Sequence, residues 1–575
     1  MQESAREQAR PPEPAQFESF LARLRSREEH LFIVLSLLIG AIVGAVVVAF
    51  IVLSERLGAR LYPPGSAPWR HLVVPLAGTL VTGFLLYRYA PSARGSGVPQ
   101  AKAALYAREG GITLRTVVGK FFLTSASLAC GIPLGREGPS VQVGAGIASL
   151  LARRLGLSEE KCKGLLIAGA AAAIAAAFNT PLAAVLFTLE EIVGDLHAPV
   201  LGSVVLSSAT SWMMLRLLLG NEPLFHTPQY QLANPAEFLL YALLGILGGA
   251  FSVAFVKLLL FLRTQFMRLP AHSQWLQPAM GGAAVGLLAW FVPEVLGVGY
   301  SHVSNALNGG MILQLMAMLV LLKIATVALA YASGNAGGIF GPSLFIGAML
   351  GGTVGSVARL FFPAHVGPVG AYALVGMGAL FAGIIRAPMT SVIMIFEITR
   401  DYAIIVPLMI ANLLSFFISR RYQPQQIYEA LARQEGVHLP SGEWRERQGK
   451  FRVGATMRLE CPMLDAQLTL QQAGQRAAGD GASTWLVSDE FGVRGVLRAA
   501  DLRAAAEKSP DDKLISLLPQ AEFPHVHQDH PLDLAMERMG ASGLEFLPVV
   551  SRMNVRQLEG AIFLKDILRA YGLPA

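Results

Sequence analysis

Glu137 is a carboxylate inside an apolar stretch, in the run Gly135-Arg136-Glu137-Gly138-Pro139. Two more glycine-rich breaks interrupt apolar sequence: Gly95-Ser96-Gly97-Val98-Pro99 and Gly337-Gly338-Ile339-Phe340-Gly341-Pro342. Glycine lets the backbone turn at each break. Proline then suits the first turn of the following helix, where its missing N–H costs nothing. A helix that starts within a bilayer has unpaired N–H groups and a partial positive charge at that end. Such ends are costly in hydrocarbon unless something polar or anionic meets them. Several converging on one point would bind a small anion without the full cationic charge that would hinder its release. The breaks therefore predict transport of an inorganic anion. A carboxylate at such a helix start is stabilised while ionised, and it fills the space an anion needs. Protonation removes both its charge and its claim on the site, so Glu137 reads as a tethered competitor and a proton carrier. A structural pairing of Glu137 with Arg136 is the competing reading. Glu191 is the second candidate, ending the run Phe187-Thr188-Leu189-Glu190-Glu191, where a carboxylate is expensive unless used. A solvated helix end would also explain it.

These residues need elements that place them in a membrane, and composition supplies them. Of 575 residues, 53% are hydrophobic and 15% charged, with mean hydropathy +0.49. A soluble chain would carry roughly 25% charged residues, so one large cytosolic globule and a disordered chain are both excluded. The deficit is uneven. Residues 431–575 hold 17 Lys and Arg and 19 Asp and Glu, against 29 and 20 in the 430 residues before them. A membrane body with a soluble tail follows. The net charge of +7 suits cytoplasmic flanks, and no basic run is interleaved with aromatics, which argues against a nucleic-acid partner. Three scattered cysteines give no disulfide framework or zinc site, and no metal is expected. The first thirty residues mix Arg and Glu, unlike a secretory signal.

Residues 31–53 are uncharged and long enough to cross about 30 Å of hydrocarbon. Further apolar stretches cover 71–89, 200–219, 238–261, 311–332 and 404–418, while 165–178 and 181–189 read as apolar segments too short to span. Arg23, Arg25 and Arg27 precede the first span and Arg420 and Arg421 follow the last, so both ends are expected to be cytoplasmic. Gly138-Pro139-Ser140 recurs as Gly341-Pro342-Ser343 at an offset of 203, and Phe178-Asn179-Thr180-Pro181 as Ile385-Arg386-Ala387-Pro388 at 207. Two nearly constant offsets predict homologous halves at about 31–220 and 237–422. Repeats with interrupted helices mark secondary transporters and their channel relatives, with the ion site at the repeat interface. The repeat pairs Glu190 with Glu397, which makes those two structural. In the tail, residues 495–501 match 560–566 at an offset of 65, each after a short β-rich run and before a helical one. Two α/β units packed together suit such a domain.

The motifs GSGVP, GREGP and GGIFGP, in this order, resemble the CLC family of chloride channels and chloride/proton antiporters over about residues 31–430. The resemblance implies a polytopic α-helical membrane fold of two inverted-repeat halves with broken helices. It implies a central chloride site formed by the Ser96 hydroxyl, the Ile339 and Phe340 amides and a tyrosine hydroxyl. Tyr428 is similar to that tyrosine, with Tyr422 as the alternative. Serine at position 96 goes with chloride preference in the family. Glu137 resembles the family's gating glutamate, and Glu191 the glutamate that passes protons from the cytoplasmic side in its antiporters. The function implied is a chloride/proton antiporter rather than an enzyme, with a passive voltage- or pH-gated chloride channel as the alternative. A homodimer with one pathway per subunit is implied too, in the inner membrane if the source is bacterial.

The tail resembles a tandem pair of CBS domains. The expected layout is a cytoplasmic segment 1–30, a membrane domain 31–430, a linker 431–452 and the CBS pair at 453–575. Asp501 and Asp566 match the family's ribose-binding aspartate. The hydroxyl usual three positions earlier is replaced by Arg498 and Phe563, so no cofactor is expected and an adenine nucleotide is doubtful.

Overall fold

In the computed structural model the chain forms two compact units, residues 1–439 and 440–575. The structure describes residues 14–107, 110–196, 200–220, 223–225, 230, 234–363, 365–437, 439, 451–480, 482–518 and 523–572.

The first unit is helical. Its first half comprises α1 (Pro14–Leu61), α2 (Trp69–Tyr89), α3 (Val98–Ala107), α4 (Leu114–Ala129), α5 (Glu137–Arg154), α6 (Glu159–Phe178), α7 (Pro181–Phe187) and α8 (Leu201–Leu219). The second comprises α9 (Glu237–Met267), α10 (Gln277–Phe291), α11 (Tyr300–Leu307), α12 (Leu313–Ala332), α13 (Phe340–Phe361), α14 (Val369–Ile385), α15 (Pro388–Thr399) and α16 (Ile405–Tyr422), and α17 (Ile427–Gln434) follows. Among the described residues seven helices are long and apolar enough to cross a membrane, while α14 and α15 are shorter apolar helices. One expectation is corrected. The segment 165–178 is not a short piece, because a charged first turn at Glu159 and Glu160 starts the same helix earlier and gives α6 20 residues. The helical unit also runs past residue 430, because α17 continues to Gln434.

Packing repeats with a shift of eight helices. α5 lies on α6 as α13 lies on α14, α1 on α8 as α9 on α16, and α6 on α8 as α14 on α16. The repeat reaches individual side chains. Buried Lys120 donates to the carbonyls of Ala93 (3.0 Å) and Gly95 (2.5 Å), and buried Lys323 donates to those of Val295 (2.9 Å) and Gly297 (2.7 Å). Each ammonium thereby satisfies carbonyls where the chain breaks. Asn179 and Arg386 end α6 and α14 in the left-handed conformation, with φ of 59° and 67°. Glycine permits the closest approaches: a Cβ on Gly144 would collide with the carbonyl oxygen of Gly169, and one on Gly347 with that of Gly376.

Contacts between the halves are reciprocal. The Gly135 and Gly338 amides each donate to the other's carbonyl at 2.7 Å. Glu397, near the end of α15, accepts from the Leu182 (3.0 Å) and Ala183 (2.7 Å) amides at the start of α7. Glu190 does the same for Met389 (3.3 Å) and Thr390 (2.9 Å) at the start of α15. A pattern in which i meets j and j meets i is a two-fold relation.

The second unit holds a sheet of order β1-β2-β3, from β1 (Met463–Asp465), β2 (Thr484–Asp489) and β3 (Gly492–Arg498), and a hairpin of β4 (Phe546–Val550) and β5 (Leu558–Phe563). β1 runs parallel to β2, which pairs antiparallel with β3. Val526 bridges Val549 of β4 in parallel, and β4 pairs antiparallel with β5. Helices Leu470–Asp480 and Ala499–Lys508 in the first motif answer to Leu532–Ser542 and Leu564–Ala570 in the second. The unit is thus a β-α-β-β-α order followed by a second copy in which the single bridge at Val526 stands where the first strand would be, with one apolar core beneath each copy.

Candidate functional site

Backbone hydrogen bonds stitch the three glycine-rich breaks together. Gly95 bridges Ala336, the Gly337 amide donates to the Gly95 carbonyl at 3.3 Å, and Gly135 pairs with Gly338. Gly97 has φ of +107°, and a Cβ there would overlap the Gly138 carbonyl oxygen. Only glycine therefore lets the Ser96 loop lie on the first turn of α5. The Ser96 hydroxyl comes within 2.6 Å of the Cβ position of Gly138, and its amide donates to Tyr331 Oη at 3.3 Å.

Glu137 begins α5 and is 1% exposed. One carboxylate oxygen accepts the Gly341 amide at 3.2 Å, and the other accepts the hydroxyl of Tyr300. The carboxylate thus lies over the first turn of α13, whose amides have no intrahelical partners. Arg136 turns elsewhere: it pairs with Glu55 at 2.9 Å and places its guanidinium 5.4 Å from the Tyr300 ring centroid. Its ion pair is with Glu55, in place of the Arg136–Glu137 pairing that the sequence left open.

Ile339 is the residue before α13 and is fully buried. Phe340 packs its ring against those of Phe178 (4.6 Å), Phe187 (5.2 Å) and Phe381 (4.4 Å). This aromatic cluster fixes the start of α13 with its amide-bearing edge toward the breaks.

Tyr428 lies in the first turn of α17 and is fully buried, whereas Tyr422 is 64% exposed. Arg386 positions the connection before it, donating to the carbonyls of Pro424 (2.9 Å) and Ser419 (3.2 Å). The Tyr428 and Ser96 hydroxyls are neighbours, and neither makes a hydrogen bond of normal geometry. Two buried, unpartnered donors side by side are rare, because each ordinarily costs about 1–3 kcal/mol. Both could donate to one small acceptor.

Glu191 sits in a π-helical turn, Thr188–Val193, that continues α7. Such turns recur at functional sites because the extra residue re-aims side chains. Here it sends two adjacent carboxylates to different partners. Glu190 goes to the start of α15, and Glu191 to Lys102 of α3 at 2.7 Å, with both of the latter side chains buried. The solvated helix end does not occur.

In the second unit Asp566 is held by two hydrogen bonds from Arg458 (2.6 and 2.5 Å), and Asp501 by Arg498 at 2.8 Å. Among the described residues no cluster of three or more His, Cys, Asp or Glu is arranged for a metal.

The sequence reading missed Tyr300, Tyr331 and Lys102. An offset of 202 carries Gly95-Ser96-Gly97 onto Gly297-Val298-Gly299, so the repeat itself points at Tyr300 as the next residue. Lys102, a lone cation in a short apolar helix, was a signal left unused. Nothing in the sequence signals Tyr331.

Residues 77–420 match the family model described as voltage gated chloride channel. The chain is 34% identical over 354 residues to the H(+)/Cl(-) exchange transporter ClcA of Vibrio cholerae serotype O1 (strain M66-2), covering 60% of this chain and 76% of that protein. Its fold resembles a slow cyanobacterial Cl−/H+ antiporter, with TM-score 0.65 at 24% identity, over 70% of this chain and 97% of the other. It also resembles a eukaryotic CLC transporter, with TM-score 0.61 at 21% identity, over 93% and 97%.

Proposed function

The chain belongs to the voltage-gated chloride channel (CLC) family, and on that premise we propose that it is a chloride/proton antiporter of a membrane. The observation that carries this reading is the Glu137 carboxylate, seated on the first turn of α13 and held there by a backbone amide and a tyrosine hydroxyl. A carboxylate bound in that way mimics an anion and competes with one for the same donors.

The exchange follows from that competition. Ionised, Glu137 holds the amide edge of α13. Protonated, it loses the attraction and swings away, and chloride takes its position. Chloride reaches it past Ser96 and Tyr428, whose unpartnered hydroxyls donate to the ion together with the Ile339 and Phe340 amides. Partial charges of this kind bind the ion weakly enough for it to leave. When chloride moves on, Glu137 releases its proton and returns. One group thereby makes the anion and the proton alternate.

Glu191 supplies protons from the side of the membrane opposite to the one Glu137 faces. Lys102 balances its charge in the dehydrated interior while it waits. The protein works as a homodimer in the bilayer with both termini in the cytoplasm, and the tail is a CBS pair. The repeated β-α-β-β-α order supports the CBS reading. Asp501 and Asp566 are both engaged by arginines, which favours a structural or dimerising tail over a nucleotide-binding one.

Reconstitution in liposomes tests the proposal. An outward chloride gradient should drive proton uptake against no pH gradient. Chloride flux without proton movement would make the protein a passive channel.

A further inference from the structure

The second motif of the tail carries an open cavity of about 730 Å3 whose lining includes His525, His527, His530, Arg538 and Arg552. Among the described residues none of the first motif lines it, and neither Asp501 nor Asp566 does. The strand pattern builds it. Val526 bridges Val549 and is buried, so the alternation of a strand turns His525 and His527 to the face away from that core. His530 joins them through the turn, where its Nδ1 accepts the His527 amide at 3.2 Å. The His525 and His527 rings are 5.2 Å apart, and those of His527 and His530 4.9 Å.

Hydrogen bonds decide which ring nitrogens are left over. A carbonyl only accepts, so the Nδ1 atoms of His525 and His527 donate to Phe523 (2.8 Å) and Val550 (2.7 Å). Each neutral ring then keeps a bare Nε2, and protonation turns that atom into a donor without breaking the existing bond. His530 differs, because protonating its Nδ1 would break the bond from the His527 amide. Burial, together with His527, Arg538 and Arg552, holds its pKa below the usual histidine range, with Asp529 acting the other way. Arg538, on the helix Leu532–Ser542, gives one N–H to the His525 carbonyl. Arg552 is paired with Asp529 at 2.9 and 2.8 Å. With neutral rings these two arginines and Asp529 leave one positive charge, and protonating His525 and His527 leaves three.

We infer that this cavity is an acid-dependent oxyanion site, in which the tetrahedral group of sulfate, phosphate or a phosphate monoester is held by Arg538 and by the protonated Nε2 groups of His525 and His527. The inference is independent of the transport reading and uses a part of the chain that reading leaves idle. Two bare Nε2 atoms on rings oriented by backbone carbonyls also suit a transition metal. Here, however, two guanidinium groups share the cavity and only Arg552 is neutralised, so the lining repels a cation. Donors on a guanidinium and on two rings 5.2 Å apart suit the several oxygens of a tetrahedral ion better than a single halide. The sign follows from linkage. Each proton a ring takes up adds a donor and a charge, so affinity rises as pH falls through the histidine range near about 6.5.

Sulfate stays doubly charged across this range, so its calorimetric titration into the purified full chain, in chloride-free buffer, reads the protein's protons alone. Binding at pH 6 should be roughly tenfold or more tighter than at pH 8. Asparagine puts an amide N–H near the place of Nδ1–H, so His525→Asn with His527→Asn keeps the carbonyl bonds and removes both Nε2 atoms. That double variant should melt like wild type without sulfate and bind sulfate equally weakly at both pH values. Arg538→Gln should weaken binding at both. The wild-type comparison and Arg538→Gln decide the matter even where the double variant melts early. Glycerol phosphate that displaces sulfate marks the occupant as an ester group, and its exclusion marks a free ion; either result supports the site. Equal affinity at the two pH values, or a pH dependence that survives in the asparagine variant, overturns the inference. So does a zinc titration that needs the same histidines while sulfate fails to bind.

Discussion

Glu137 and Gly341 are 204 residues apart in sequence, yet the carboxylate of the first accepts the amide of the second at 3.2 Å. One belongs to the first half of the repeat and the other to the second. Their contact places an anionic side chain on a helix terminus across the plane where the halves meet. The reciprocal Gly135–Gly338 pair sits beside it and holds the two breaks in register. On the proposed mechanism, anion competition and proton binding are therefore properties of the junction, and neither half has them alone.

Glutamine at position 137 keeps the shape of the side chain and removes its charge. Glu137→Gln should conduct chloride at a rate insensitive to pH while proton flux disappears. The check is paired chloride-efflux and pH-electrode traces on one liposome preparation. Retained proton flux would show that another group carries the proton.

Ser96 and Tyr428 each contribute a hydroxyl that neighbours only the other and makes no hydrogen bond of normal geometry. Removing it leaves no protein group unsatisfied, so Ser96→Ala and Tyr428→Phe should melt close to wild type. Hydrogen bonds to ions are worth about 1.5–3 kcal/mol, so halide affinity should fall roughly tenfold or more in each. Calorimetric bromide titration with a parallel melting curve separates the two effects. A large stability loss with unaltered affinity would make the hydroxyls structural.

The Lys102–Glu191 pair is buried, and removing one member leaves the other charge uncompensated, at a cost of about 3–5 kcal/mol. Glu191→Gln should therefore abolish proton flux, spare chloride flux and lower the melting midpoint. Adding Lys102→Met should restore the midpoint without restoring proton flux. If the double variant recovers proton transport, Glu191 is only a counter-charge.

The close helix crossings give a prediction independent of transport. A Cβ at Gly347 would meet the backbone oxygen of Gly376, and one at Gly144 that of Gly169. Backbone cannot rotate away as a side chain can, so Gly347→Ala and Gly144→Ala should each cost at least the ~1–3 kcal/mol of ordinary overpacking. Lower thermal midpoints in detergent, by similar amounts in the two halves, are the expected result.

The sequence exposed the parts of this architecture that depend on local chemistry. Glycine and proline mark the breaks because only they suit the turn and the first helical position, so the breaks at Ser96, Glu137 and Phe340 were visible, as was the repeat. The pairing of Glu190 with Glu397 as structural residues came from the repeat as well, and the structure gives each the same task on the opposite helix. What local sequence could not show is who meets whom across the junction. Tyr300 reaches Glu137 from 163 residues away and Lys102 reaches Glu191 from 89. The length of α6 was misread because hydropathy ignores its polar first turn, although a charged N-terminal turn is itself a helix-start signal. Composition likewise separated the tail from the membrane unit but left its ligand chemistry open, since that depends on which arginine each aspartate finds.

The reversal potential of reconstituted protein tests the central claim most directly. With a fixed chloride gradient and an imposed pH gradient, coupling through Glu137 predicts a reversal potential displaced from the chloride Nernst value in the direction set by the protons, and a return to that value in Glu137→Gln. A wild-type potential that stays at the chloride Nernst value whatever the pH gradient would contradict it.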